Sequence, residues 1–149
     1  MKTETIRCRD LMVGDWITDN TGFQWQITVV GDDYAYATFE GNEADPWEFD
    51  DKDDQPQPIE ITEDILMKNG WRKESDTIPP FGSVIPVFVK DEGDTHLELK
   101  VNTLIIWFNC IEGNQGVYVD IVVPTKYVHQ LQGALRLAGL NDMANNFKV

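Results

Sequence analysis

The residues whose types and spacing could do chemistry fall into two groups. The first is the stretch EADPWEFDDKDDQPQP at 43–58, where Trp47, Glu48, Phe49, Asp50, Asp51, Asp53 and Asp54 crowd around one base, Lys52. Acid-flanked aromatics set two apart can drop rings into an apolar groove while the carboxylates meet a basic rim. Such acid density also raises calcium, but a calcium loop of the helix–loop–helix type needs Gly at its sixth position and Glu at its twelfth. Counting from Asp51 puts Pro56 and Thr62 there; counting from Asp50 puts Gln55 and Ile61. Both registers fail. Two readings stand: a docking arm for a basic partner, or an extended segment with both rings turned inward, followed by a solvated connector.

The second group is His129, Gln132 and Arg136. In YVHQLQGALRLAG they form a polar strip opposite the apolar stripe Val128, Leu131, Leu135 and Ala138. Such a strip can contact a partner or a loop of the same fold. With Glu112 it defines a further alternative, a small ligand-binding protein or enzyme. His96 shares the polar face of HLELKV with Glu98 and Lys100, as a surface histidine would. The chain contains no G-x-S-x-G, Walker A, G-x-G-x-x-G or H-E-x-x-H motif. EGNQG at 112–116 lies between two strand patterns and reads as a hairpin turn. Cys8 and Cys110, the only cysteines, fall short of a zinc quartet or a disulfide framework. No catalytic residue, metal site or cofactor is expected.

Charge is segregated. Residues 10–67 hold sixteen acids and one base, a net of −15 within a chain of −14 overall. That half is expected to repel nucleic acid and anionic membrane and to favour a basic protein partner. The N-terminus MKTETIRCRD has no apolar core, and no run approaches the roughly 18 apolar residues of a membrane span. The expectation is a soluble, reduced, cytoplasmic protein.

The elements that must position these residues can be read from periodicity. FQWQITVV and YAYATF alternate around a Gly-Asp turn and predict a hairpin. With LMVGDWI before them they predict a small antiparallel β module, SH3-like in outline, over residues 1–55. Residues 56–80 read as a linker with one short helix, capped by Thr62 and ended by Gly70. Residues 81–149 read as a four-stranded antiparallel meander closed by a C-terminal helix, and the two parts can form one compact domain. Pro86 places the strand at 84–90 on an edge, and the unbroken run LIIWF suggests a strand covered on both faces. The fold class is α+β.

Three phrases, LMVGDWI, QPIEITEDILMKNGW and YVHQLQGALRLAGL, carry a resemblance. In order and spacing the chain resembles uncharacterised small proteins of Bacteroides-group bacteria, their phages and mobile elements. Tyr127, His129, Gln130, Leu131 and Gln132 fall on the closing motif of that family. Val128 replaces its usual leucine, and residues 133–140 depart from its more aromatic continuation. The resemblance implies a cytoplasmic accessory protein in a phage or mobile-element setting and brings no catalytic role with it.

The functional expectation is thus a non-enzymatic accessory protein binding a basic protein through its acidic half. The alternatives are a nucleic-acid mimic that blocks a DNA-binding host or defence protein, and a small ligand-binding protein or enzyme built on His129 and Arg136. Self-association through the strand at 84–90 or the last helix is a further possibility.

Overall fold

Two antiparallel meanders form because the chain alternates apolar and polar residues in short runs broken by turns. The computed structural model describes residues 4–39, 42–77, 85–100, 103–108, 117–122 and 124–149. After a 3-10 turn at Cys8–Asp10, the first sheet orders β1 (Trp16–Thr18), β2 (Gln24–Val30), β3 (Tyr34–Phe39) and β4 (Asn42–Asp50). α1 (Glu63–Lys68) follows. The second sheet then orders β5 (Arg72–Thr77), β6 (Ile85–Glu92), β7 (Thr95–Lys100), β8 (Thr103–Phe108) and β9 (Val117–Ile121). α2 (Val128–Leu137) and α3 (Asn141–Asn145) close the chain. The architecture is α+β, and no helix among the described residues is long and apolar enough to cross a membrane.

Local chemistry sets the helix ends. Thr62 caps α1 by accepting from Ile65 N–H, and Gly70 takes the left-handed turn after it at φ +81°. α2 starts at Val128. There the Gln130 side chain accepts from the Lys126 and Tyr127 N–H groups, satisfying donors a helix start leaves open.

Four expectations are corrected. The acidic stretch begins as strand β4, paired with β3 through Ala37↔Trp47 and Ala35↔Phe49, because its own residues alternate. The second sheet has five strands: Arg72–Thr77 pairs with β6, so β6 is flanked on both sides and is no edge. Pro86 falls opposite the register shift between Glu74 and Thr77, where the ladder is locally interrupted. β8 is covered on one face only: Leu104 and Ile106 are fully buried, Ile105 and Trp107 half-buried. Val84, Cys110 and Glu112 lie outside the described residues.

Two cores result. One packs Leu97, Leu99, Leu104 and Ile106 against Val128, Leu131 and Leu135 of α2, with Leu66, Trp71 and Phe147. The other sits under the first sheet, where Ile6, Cys8 and Leu11 cover Ile17, Ile27, Ala35, Ala37 and Phe49. The segment expected as a linker straps them together: Gln57 pairs with Thr18 on the open side of β1, and Glu60 bridges to Tyr127.

The seam between the sheets is polar. Gln132 is fully buried; its Oε1 accepts from Trp16 N–H at 3.0 Å, and its Nε2 donates to Gly14 O at 2.7 Å and Ala144 O at 2.9 Å. Beside it Arg136 donates to Asp15 Oδ1 at 2.5 Å and to Val13 O at 3.1 Å. Gly14, at φ +95°, fits this seam only without a side chain, since a Cβ would meet Asn145 Oδ1 at 2.8 Å. Burial pushes the Asp15 carboxyl up, and Arg136 with the Met12 N–H draws it back toward ionisation. Replacing Arg136 by Met strands that carboxylate and should cost about 3–5 kcal/mol. Urea unfolding should show a lower midpoint at unchanged slope, and Asp15→Leu added to Arg136→Met should recover part of the loss. A single variant as stable as wild type would mean the pair is solvated.

Candidate interaction surface

The turn from β1 to β2 is built on one carboxylate. Asp19 Oδ1 accepts from Thr21 N–H, Thr21 Oγ1 and Phe23 N–H, while Oδ2 accepts from Trp25 Nε1 at 3.0 Å. Partial desolvation acts to raise this carboxyl, but the hydrogen bonds outweigh it and hold it below the usual range. The turn therefore presents Phe23 and fixes the indole of Trp25 together.

Strand alternation then gathers aromatics on one face. Trp25 lies 5.9 Å from Phe39, 6.0 Å from Trp47 and 6.4 Å from Phe49 between ring centroids, and Phe23 meets Phe39 edge-on at 5.8 Å. Trp47 and Phe49 share a face, yet their fates differ. Phe49 is fully buried under the segment at 6–11, whereas Trp47 is 47% exposed, beyond its reach. Phe23, at 57%, and Phe39, at 38%, are also open. An exposed aromatic row runs along one end of the sheet.

The acids around it do two jobs. Asp50 Oδ1 accepts the N–H groups of Asp53, Lys52 and Asp54, which hold its carboxyl well below the usual range. Asp51 accepts from Cys8 N–H at 2.8 Å, tying down the N-terminal segment, and Asp54 accepts from Trp47 Nε1 at 2.6 Å. The segment after β4 is thus an ordered turn rather than a solvated connector. Burial first, then Asp51, Asp50 and Asp33, push the Cys8 thiol up to about 12. Asp45 and Asp53 are exposed; Glu48 is exposed too, but on the opposite face beside Tyr36.

Of the residues singled out by sequence, Trp47, Phe49, Asp50, Asp51 and Asp54 come together here. His129, Gln132 and Arg136 do not join them; Gln132 and Arg136 bond instead to the 13–16 turn of their own chain. His129 stacks on Tyr127 at 6.0 Å, and its Nδ1 is buried without a hydrogen-bond partner. Sequence reasoning passed over Phe23, Trp25, Phe39 and Asp19. Their signal was present, since each aromatic falls on the same strand face as Trp47.

A second polar group crosses the outer face of the other sheet, where pairing aligns Asp91, His96, Trp107 and Tyr118. His96 Nδ1 lies 2.5 Å from Asp91 and Nε2 3.5 Å from Glu98, and Arg72 donates to Asp91 at 2.9 Å. Grooves of about 330 and 290 Å³ run beside α3; both are lined by Glu92, Asp142 and Met143, away from His129 and Arg136. Among the described residues no group of three or more His, Cys, Asp or Glu is arranged to hold a metal. Set against family models, curated proteins and solved structures, the chain matches none.

The two histidines should titrate on opposite sides of 6.5. Burial pulls His129 down, against a smaller pull upward from Asp15. Partial burial also pulls on His96, but Asp91 and Glu98 outweigh it and raise it. The stability His129 contributes is full above 6.5 and falls away as pH drops below that value; that of His96 is full below 6.5 and is lost as pH rises through its raised folded value. An NMR titration of the imidazole signals should resolve two midpoints bracketing 6.5, and coincident midpoints would contradict both environments.

Proposed function

We propose that the chain is a non-enzymatic accessory protein that binds a basic partner protein through the aromatic row of its first sheet. The observation that carries this reading is the exposure of Phe23, Phe39 and Trp47 side by side in the half of the chain that nets −15. Large aromatic rings left open in a row are a docking feature; the Trp47 indole is already held by Asp54, and the adjoining Trp25 indole by Asp19. Apolar side chains of the partner cover the rings, and its Arg or Lys cations lie over ring faces within reach of Asp45 and Asp53. The phage or mobile-element setting implied by the resemblance is consistent with such an accessory role.

A nucleic-acid mimic has weaker support. Its acids would have to form rigid rows facing outward, whereas Asp15 is buried in an ion pair and Asp19, Asp50, Asp51 and Asp54 accept hydrogen bonds from their own chain. An enzyme on His129 and Arg136 has weaker support too, since the Arg136 guanidinium is occupied by Asp15 and Val13.

The test is tryptophan fluorescence with a peptide alternating Arg and Leu, beside a control with Gln for each Arg. Binding should be confined to the cationic peptide and weaken with salt. Trp47→Ala or Phe39→Ala should weaken it at least about tenfold, roughly 1.4 kcal/mol. Asp45→Asn with Asp53→Asn should lower the salt dependence while leaving the fold intact. Equal binding of the two peptides, or indifference to the ring substitutions, would refute the reading.

A further inference from the structure

The two sheets have four edges, and three of them are protected. β1 is covered by the Thr18–Gln57 bridge. β4 carries Pro46 and a run of acids, and β5 begins with the charged residues Arg72, Lys73 and Glu74. Proline, charge and a covering segment are the usual devices that stop sheet edges from pairing with other chains. β9 has no proline, and among the described residues no segment covers it. It pairs only with β8 among the described residues, and its sequence VYVDI has one charge. Val117, Tyr118 and the following Val122 are more than half exposed, and Val119 is 39% exposed.

We propose that β9 is a homodimer interface, pairing antiparallel with β9 of a second copy. The strand is complementary to itself in that arrangement. Centred on Val119, the two-fold sets Val117 opposite Ile121 of the second copy and Tyr118 opposite Asp120, so that no like charges face each other. Val117, Val119 and Ile121 lie on the same face as Leu104 and Ile106, which pair with Ile121 and Val119. The two apolar faces therefore become continuous across the join. Electrostatics favours this edge over any on the first sheet. The excess acid lies in residues 10–67, and the rest of the chain nets +1. The strands that pair when two copies meet at β9 hold no residue of the acidic half.

Sedimentation velocity over a wide concentration range tests the interface. The expected result is a rise from the monomer mass to twice that mass, retained in high salt, where docking of a basic partner would weaken. Val119→Lys should return the mass to that of the monomer; Val117→Lys, at a more exposed site, should do the same without disturbing the core. Hydrogen exchange should show the outward β9 amides gaining protection as the dimer forms. A monomer at every concentration, a dimer that survives both substitutions, or a dimer with unprotected β9 amides would overturn the proposal.

Discussion

The buried amide of Gln132 is the constraint on which the arrangement of the two sheets depends. It is the one side chain that satisfies the Trp16 N–H, the Gly14 carbonyl and the Ala144 carbonyl at once. A buried polar group left unmatched costs roughly 1–3 kcal/mol, so these three bonds tolerate little sliding of the first sheet over α2. The Asp15–Arg136 pair adds a charge condition to the same seam. Trp16 completes it: its ring packs on the core between the second sheet and α2 while its Nε1 donates to Phe147 O at 2.6 Å, fastening the C-terminal segment. Asn69 holds that segment from the other side through Lys148.

The first sheet is too small to bury all of its aromatics. Its core is roofed by a few residues of irregular chain, Ile6, Cys8 and Leu11, which reach Phe49 but not Trp47 or Phe39. The open row is a consequence of how short that roof is. The roof is held by an acid, through Asp51 and the Cys8 N–H, and the row is oriented by acids, through Asp19 and Asp54. Much of the negative charge in this half therefore supports structure directly, as acceptors for N–H groups that would otherwise need water. The exposed remainder sets the sign of the field over that surface.

Several features were legible in the chain because they depend on neighbours in sequence. The hairpin of β2 and β3, the Thr62 cap, the Gly70 termination and the buried stripe of α2 all follow from spacing and side-chain type. β5 was not legible: RKESDT has no apolar alternation, and it is a strand only because β6 offers a ladder. α3 was hidden for a similar reason, since five residues make a stable helix only when packed, here through Ala144. The run LIIWF looked two-sided because periodicity cannot say that one sheet face has a helix on it and the other is only partly covered.

The candidate sites divide along the same line. The sequence by itself determined the segregation of charge, the α+β class, and the polar strip His129, Gln132 and Arg136 opposite an apolar stripe. Only the tertiary structure decided that Gln132 and Arg136 face inward onto the 13–16 turn, that Phe49 is core and Trp47 surface, and that Phe23, Trp25 and Phe39 lie with Trp47. The reason is physical. Periodicity fixes which residues share a face, but burial of that face depends on what the rest of the chain lays across it, and that covering comes from residues far away in sequence.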